Sequence, residues 1–372
     1  MRFFSSILER VKLVVNIKLK PLESQHSALL ATLKEANKAC DWISRQAFEN
    51  KIFKQYNLHK LTYHVARDLF NLSAQMLVRA ISKVSDSYKI QTEKQTTFKP
   101  TGSIAYDDRI ISFKKSDIVS IWTVQGRLNI PFVMGEHQRK LFQFRKGEVD
   151  LMYRKGEFYL NAVCDVPEKK QFEPKDILGI DFGIVNIVSD SDGEQFSGKQ
   201  IEKVRQTFAH RRRNLQKKQT KSAKRKLKQL SGKQSRFQKN ENHIISKRLV
   251  EKAKHTQRAI SLEDLKEIRF RIRVRKAQRH RLNNWSFFDL RAKIEYKAKL
   301  SGVTVIAVNP KNTSRECSNC SHISKSNRKS QSEFVCQQCG FADNADSNAS
   351  RNIRERAAVK LPNDRNIKAA NL

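Results

Sequence analysis

Four of the six cysteines fall into two C-x-x-C pairs: Cys317, Cys320, Cys336 and Cys339. Fifteen residues separate the two pairs, a spacing typical of four thiolates that close a tetrahedral zinc site. Because the protein fills all four positions around the ion, we expect one zinc with a structural role. The two remaining cysteines, Cys40 and Cys164, stand in apolar patterns and are interpreted as core residues.

Three acidic residues, each about 80 positions from the next, occupy positions where a carboxylate is unexpected: Asp181, Glu263 and Asp346. Asp181 interrupts an apolar strand pattern, Glu263 ends a short apolar strand, and Asp346 follows the second cysteine pair at a predicted helix start. A carboxylate in an apolar strand is costly unless it binds a cation or lines a site. Together the three predict a site for two Mg²⁺ or Mn²⁺ ions, which activate water and stabilise the leaving oxygen in phosphodiester hydrolysis.

Composition favours a nucleic-acid partner. The 372 residues carry 74 Lys and Arg against 37 Asp and Glu, a net charge of +37, which a polyanion would neutralise. Hydrophobic residues make up 38% of the chain, including 21 Phe, so a disordered basic tail is excluded. No apolar run approaches the ~18 residues of a membrane span, and the N-terminal residues break into charge before a signal peptide could form. We therefore expect a soluble cytoplasmic protein with no membrane partner.

The charge concentrates in residues 201–260, which hold 20 Lys and Arg but only three acids. Apolar residues there recur at helical spacing, and Ser231-Gly232 divides the segment into two predicted helices, a basic hairpin over 201–258. A charge run is often only a solvated face, but the shortage of acids favours contact with phosphates. The candidate nucleic-acid-binding residues are Arg211, Arg212, Arg213, Lys217, Lys218, Lys224, Arg225 and Lys226.

The remaining patterns suggest how these residues are positioned. Alternating strands with Gly turns predict an antiparallel meander or small barrel over 96–172, joined by a first strand within 1–21. Between them, 22–95 reads as a helical module: one helix has Ser24 as its N-cap, and a second carries Val65, Leu69, Leu72, Met76 and Ala80 on one face. Residues 173–310 and 341–357 are interpreted as an α/β domain that holds the three acids. A cysteine module over 311–340 and a tail over 358–372 complete the predicted organisation.

The chemistry-bearing segments resemble the TnpB family, RNA-guided nucleases of insertion sequences and relatives of type V CRISPR effectors. The resemblance covers about 177–353 and rests on these residues: Gly179-Ile180-Asp181-Phe182-Gly183 with Asn186, Leu262-Glu263-Asp264-Leu265, Trp285-Ser286-Phe287-Phe288, Tyr296-Lys297-Ala298, Thr313-Ser314, the four cysteines, and Asp346-Ser347-Asn348-Ala349 with Asn352-Ile353. Two positions depart from the family pattern: Ser321 replaces a usual Gly, and Ser350 replaces a usual Ala.

The resemblance implies a multidomain α+β protein. Its expected parts are a wedge-like N-terminal β-barrel with an inserted helical recognition module, then an RNase H-like RuvC nuclease domain with an inserted zinc ribbon. It implies that Asp181, Glu263 and Asp346 form the catalytic metal site, with Asp264 and Asp343 as fallback ligands. The implied partners are a guide RNA and double- and single-stranded target DNA, bound by a monomer in a bacterial cell, in association with the nucleoid.

The leading hypothesis is thus an RNA-guided DNA endonuclease of a transposable element. Two alternatives stay open: a nuclease-inactive RNA-guided DNA-binding repressor, and a transposase that joins DNA strands. The intact acid trio argues against the first, because loss of one acid would mark it. The second predicts strand joining without RNA. A zinc-ribbon binder of the ribosomal type is disfavoured by the chain length and by the trio.

Overall fold

The computed structural model describes residues 10–183, 185–264, 287–330 and 332–359. Within the predicted motifs, Leu265, Trp285 and Ser286 lie outside these residues, as does most of the 358–372 tail. The chain forms two compact units, Met1–Pro167 and Glu168–Leu372. None of the described helices is both long enough and apolar enough to cross a bilayer.

The first unit contains a seven-stranded antiparallel sheet in the order β2-β6-β7-β1-β5-β4-β3. Its strands are β1 (Arg10–Leu19), β2 (Ile104–Tyr106), β3 (Ile111–Lys114), β4 (Ile118–Thr123), β5 (Gly126–Val133), β6 (Arg145–Arg154) and β7 (Glu157–Pro167). The Tyr106 hydroxyl donates to the Trp122 carbonyl at 3.0 Å, which links β2 at one edge to β4 near the other. The sheet is therefore nearly closed, and the first strand joins it as predicted.

Three helices follow β1 and precede β2: α1 (Glu23–Glu49), α2 (Gln55–Leu69) and α3 (Ala74–Tyr88). The short helix α4 (Glu136–Phe142) follows β5. The expected apolar face of α1 is buried from Leu29 to Ala47. Its packing against α3 buries the thiol of Cys40, whose pKa burial raises to about 12, in agreement with a core role.

Two predictions for these helices are wrong. Helix α1 begins one residue before Ser24, and the N–H of Leu22 is satisfied by the Gln25 side chain at 3.0 Å. The predicted second helix is two helices, because Ser73 accepts a hydrogen bond from the Met76 N–H at 3.3 Å and starts α3. Val65, which we placed on the same buried face as Met76, is 49% exposed.

The second unit is built on a five-stranded mixed sheet in the order β10-β9-β8-β11-β12. The strands are β8 (Asp176–Phe182), β9 (Asn186–Asp190), β10 (Gln195–Ser197), β11 (Arg258–Glu263) and β12 (Val305–Val308). Strands β8, β11 and β12 are parallel, whereas β9 and β10 form antiparallel hairpins. The Asp192-Gly193 turn joins β9 to β10, as predicted, with Gly193 at a φ of 89°.

The basic segment forms three helices and not the two that we predicted: α5 (Lys199–Lys218), α6 (Lys221–Leu230) and α7 (Lys233–His255). The expected break lies at Gly232, whose φ is 77°. The second break lies at Gln219, which is left-handed with a φ of 49°. Thr220 follows it and caps α6 by accepting from the Ala223 N–H at 3.2 Å. A Thr that precedes a Lys-rich helical run was the signal for this break.

Helices cover both faces of the mixed sheet. One face packs Leu178, Ile180 and Leu262 against α7 and α8 (Phe287–Ser301) in a continuous hydrophobic core. The other face packs against α9 (Ala345–Ala358) through Ile177, Ala259 and Ile353. A small module with the hairpin β13 (Glu333–Val335) and β14 (Ala342–Asn344) lies between β12 and α9 in the chain. The expected mixed sheet flanked by helices is therefore present.

Candidate metal and nucleic-acid sites

Strand pairing brings two of the predicted acids to the same edge of the sheet. Strands β8 and β11 run parallel, with Ile180 opposite Leu262. Asp181 and Glu263 each follow these paired residues, so they occupy neighbouring positions at the carboxyl ends of adjacent strands. Both face α9, because side chains alternate along a strand and Ile180 and Leu262 point into the opposite core.

The third acid comes from the first turn of α9. The side chain of Asn344 caps this helix by accepting from the N–H groups of Asp346 at 3.0 Å and Ser347 at 3.3 Å. The helix lies directly on β8 at Gly179, where a Cβ atom would overlap the carbonyl oxygen of Ser350 and lie 2.8 Å from the Arg354 nitrogen. Any larger residue at Gly179 would lift the helix that carries Asp346.

The three carboxylates interact electrostatically. Burial is the largest cause that raises the pKa of Asp181 to about 8; the charges of Glu263 and Asp346 act in the same direction, and the charge of Arg328 opposes them. Burial also raises the pKa of Glu263, against a hydrogen bond from Thr313 and the charge of Arg356. The structure thus brings together the three residues that the sequence analysis selected, although they lie far apart in the chain.

Two neutral side chains hold the carboxylates in place. Asn186, at the start of β9, donates from Nδ2 to Asp346 Oδ2 at 3.2 Å. The Thr313 hydroxyl donates to Glu263 Oε1. The sequence analysis named both residues only as parts of a motif and gave them no role. It missed Arg328 altogether, whose Nη2 lies 3.4 Å from Asp346 Oδ1.

The two fallback ligands point to arginines. Asp264 forms an ion pair with Arg291 at 3.3 Å, and Asp343 forms one with Arg351 at 2.8 Å. Asp346 also has an arginine partner; what distinguishes the set of Asp181, Glu263 and Asp346 is that Asp181 interacts electrostatically with both of the others.

The donor set fits hard divalent cations. Carboxylate oxygens are the ligands that Mg²⁺ and Mn²⁺ prefer. Burial first, and then the charges of Glu263 and Asp346, raise the pKa of Asp181 and so disfavour its ionised form, which a bound cation would stabilise. The oxygen atoms of the three carboxylates nevertheless lie farther apart than the sulfur atoms of the four cysteines. Among the described residues, the four cysteines form the cluster that is compact enough to hold a metal ion as it stands.

The four cysteines have the geometry of a metal site. Their sulfur atoms all lie within 4.8 Å of one another. In each pair the residue after the second cysteine donates its N–H to the backbone carbonyl oxygen of the first cysteine: Ser321 to Cys317 at 2.9 Å, and Gly340 to Cys336 at 3.1 Å. The backbone N–H of Phe341 helps to lower the pKa of Cys339 to about 6. Such a cluster fits one zinc ion with no open position.

Two asparagines of α9 attach this cysteine module to the helix of the candidate carboxylate site. Asn348 accepts from the Ser318 N–H at 2.9 Å and donates to the Glu316 carbonyl at 2.8 Å. Asn352 donates to the carbonyls of Thr313 at 2.9 Å and Glu316 at 2.7 Å. The segment that leads into Cys317 is therefore fixed to the helix whose first turn carries Asp346.

The candidate nucleic-acid-binding residues lie on α5 and α6. All are exposed except Arg212, which is half-buried and donates to Gln234 Oε1 at 2.9 Å. Arg212 therefore also holds α5 to α7. Helix α6 carries five basic residues and no acid, and its Thr220 cap and buried Ala223 orient one face inward. The other face presents a row of positive charge.

Two protein families match parts of the chain, almost entirely within the second unit. One, OrfB_IS605, is described as "Probable transposase" and matches residues 161–267. The other is described as "Cas12f1-like, TNB domain" and matches residues 287–353. The first match contains Asp181 and Glu263, and the second contains the four cysteines and Asp346.

Three curated relatives are similar in sequence. The chain is 34% identical to CRISPR-associated endodeoxyribonuclease Cas12f1 of Sulfoacidibacillus thermotolerans, over 54% of this chain and 50% of that protein. It is 29% identical to the TnpB-like protein MJ0751 of Methanocaldococcus jannaschii, over 66% and 92%. It is 26% identical to the putative RNA-guided DNA endonuclease InsQ of Escherichia coli, over 53% of each. The chain thus spans only about half the length of the first of these relatives.

A solved structure shares the fold. The Cas12f1 chain in a Cas12f1-sgRNA-target DNA complex aligns with a TM-score of 0.57 at 18% identity, over 88% of this chain and 82% of that chain. At that identity the match supports the fold alone. The resemblance to the TnpB family is confirmed by the matching families and the sequence relatives.

Proposed function

We propose that the chain is an RNA-guided DNA endonuclease of a transposable element, and that its nuclease centre is formed by Asp181, Glu263 and Asp346. The observation that carries the proposal is the convergence of these residues on one end of the mixed sheet, where burial and the charges of Glu263 and Asp346 raise the pKa of Asp181. Relatives named as endonucleases support it. In this proposal the sheet with α7, α8 and α9 is an RNase H-like RuvC domain.

The residues of the site would have different roles. Asp181, Glu263 and Asp346 would hold two Mg²⁺ or Mn²⁺ ions, which supply activation of a water molecule and stabilisation of the leaving oxygen. Asn186 and Thr313 orient two of the carboxylates without cancelling their charge. The helix dipole at the start of α9 favours a negative Asp346. The four cysteines would hold one zinc that keeps the module beside α9 in shape.

Recognition would rest on the positive surface of α5 and α6. These helices carry the exposed candidates Arg211, Lys217 and Lys224, which would contact the phosphates of a guide RNA or of its duplex with target DNA. Such contacts give affinity without sequence preference. Base pairing between guide and target would then supply most of the sequence specificity.

The test begins with the RNA that copurifies with the full-length protein, sequenced to identify a guide segment. A DNA duplex that matches this segment is then incubated with the complex and Mg²⁺. We expect wild-type cleavage, and none with Asp181→Ala, whose RNA affinity should be unchanged because no phosphate contact is lost. The matched controls Asp264→Ala and Asp343→Ala should still cut. Cleavage by Asp181→Ala would overturn the assignment.

The same assay separates the alternatives. The "Probable transposase" description of one matching family keeps strand joining as a second candidate. Joined DNA products in reactions without RNA would favour the transposase. RNA-dependent binding of target DNA by wild-type protein, with no cleavage at any Mg²⁺ concentration, would favour the repressor.

A further inference from the structure

Two buried serine hydroxyls in the mixed sheet have no hydrogen-bond partner. Across the described part of the chain only four buried side-chain polar atoms are in this state, and two of them are Oγ of Ser189 and Oγ of Ser261. Ser189 is 1% exposed and Ser261 is fully buried. A buried hydroxyl without a partner costs free energy, so each such group in a folded protein calls for an explanation.

Ser189 lies directly opposite Asp181. The two are cross-strand partners in the antiparallel pair of β8 and β9, so their side chains share one face with Cβ atoms about 5 Å apart. Ser191, two residues further on the same face, differs because its hydroxyl accepts from the Gly179 N–H at 3.1 Å. Ser189 is thus the unsatisfied hydroxyl that faces a carboxylate of the proposed nuclease centre.

The other two carboxylates of the centre each have a neutral side-chain donor. Asn186 donates to Asp346, and Thr313 donates to Glu263. Asp181 receives a backbone hydrogen bond from Phe182, but Ser189 is the neutral hydroxyl placed opposite it. A carboxylate that binds a cation through one oxygen still has acceptor capacity on the other. A neutral donor can fill that capacity and orient the group without offsetting its charge.

We infer that Ser189 is a positioning residue for Asp181. When the site binds divalent cations, the Ser189 hydroxyl donates a hydrogen bond to the Asp181 carboxylate and fixes its orientation. This role rests on the proposed function of Asp181 as a cation ligand. Outer partners of this kind typically change metal affinity 10- to 100-fold when they are removed.

The test measures Mg²⁺ binding to the full chain by titration calorimetry, and thermal unfolding without Mg²⁺. Ser189→Ala should weaken Mg²⁺ binding about tenfold, while the midpoint of unfolding without Mg²⁺ stays the same or rises, because an unpaired buried hydroxyl has been removed. Ser189→Thr, which restores a hydroxyl, should bind Mg²⁺ more tightly than Ser189→Ala. The matched control Ser261→Ala removes an equally buried hydroxyl opposite Gly179 and should leave Mg²⁺ affinity unchanged.

The role of Ser189 would be overturned by unchanged Mg²⁺ affinity in Ser189→Ala, or by a lower unfolding midpoint of that variant without Mg²⁺, which would show a purely structural role. An equal loss of affinity in Ser261→Ala would do the same. Asp181→Ala tests the underlying function separately. If it binds Mg²⁺ as wild type does, Asp181 is no ligand and the proposed nuclease centre fails, together with the role of Ser189.

Discussion

Gly179 and Ser350 touch backbone to backbone, at the point where α9 rests on β8. A Cβ atom at Gly179 would overlap the Ser350 carbonyl oxygen, and both residues lie in the fully covered interior between sheet and helix. This contact sets the height of α9 above the sheet. It therefore sets the distance between Asp346 on the helix and Asp181, two residues after Gly179.

Gly179→Ala should separate the carboxylates. The overlap involves backbone atoms that cannot move aside, so α9 must shift, and we expect a loss of about 1–3 kcal/mol of stability with a large fall in Mg²⁺-dependent cleavage. Denaturant unfolding and the cleavage assay measure the two effects. Gly135→Ala serves as a control, because its Cβ would meet only the Gln138 side chain at an ordinary 3.5 Å. Wild-type cleavage by Gly179→Ala would contradict this account of how Asp346 is placed.

Cys336→Ser should remove the zinc and disturb the nuclease centre with it. Loss of one thiolate opens a closed four-ligand site, and the segment from Thr313 to Ser318 is fixed to α9 by Asn348 and Asn352. We expect one zinc per chain in wild-type protein, less in the variant, and reduced cleavage. Metal analysis and the cleavage assay check both. Cys164→Ser, which changes a buried cysteine of the first unit, should keep its zinc.

Ser321→Gly should stabilise the cysteine module. Ser321 has a φ of 60°, in the left-handed region that L-residues other than Gly, Asn and Asp disfavour, so glycine removes a cost of about 1 kcal/mol. The mirror change is Gly340→Ala. Its φ is 73° and its Cβ would meet nothing within 4 Å, so the expected loss is conformational only. Retention of zinc against a chelator ranks the variants. An equal effect of both changes would contradict the argument.

The stability of the second unit in Mg²⁺-free buffer should fall as the pH rises towards the pKa of Asp181. Burial, with the charges of Glu263 and Asp346, raises the pKa of Asp181 from 3.8 to about 8 in the folded protein, so between these two values the folded state binds more protons than the unfolded state. Relative to Asp181→Asn, wild-type stability should drop by about 2 kcal/mol between pH 6 and pH 8. Denaturant unfolding at several pH values gives the difference. A constant difference would show that Asp181 is ionised throughout.

Charge reversal on α6 should weaken nucleic-acid binding and leave the proposed catalytic residues intact. Replacing Lys224, Arg225 and Lys226 by Glu removes up to three phosphate contacts, and each one lost should lower the slope of binding against salt by about one. RNA affinity across a salt series measures the slope. A control that exchanges Lys and Arg at the same positions keeps the charge and should bind as wild type does. An unchanged slope would show that the basic residues of α6 form only a solvated surface and contact no phosphates.

The sequence predicted the placement of the chemistry-bearing residues well. Asp181 lies on a strand, Glu263 at the end of the neighbouring strand and Asp346 in the first turn of a helix, because each stands in a strong local pattern. The cysteine cluster was predictable for the same reason, since its spacing alone defines the two turns. These features depend on short stretches of chain, where residue type and periodicity carry the information.

The hydrogen bonds that join these stretches could not be predicted from local sequence patterns. Thr313 reaches Glu263 across 50 residues, and Asn186 reaches Asp346 across 160. Such pairs depend on the tertiary fold: Asn186 and Thr313 stood in the family motifs, but no local pattern indicates which carboxylate either residue contacts. Gly179 offered a signal that was not used, because a glycine inside a strand often marks close approach of another backbone.

The order of the acids along the chain has a consequence for its synthesis. Asp346 leaves the ribosome 165 residues after Asp181, a delay of roughly 8 to 33 s at ordinary rates of translation. Helices α5 and α6 emerge within that interval. Under the proposed function, a nascent chain can therefore bind RNA before it has a centre that cuts DNA. Until α9 has been synthesised, the face of β8 that carries Gly179 stays uncovered.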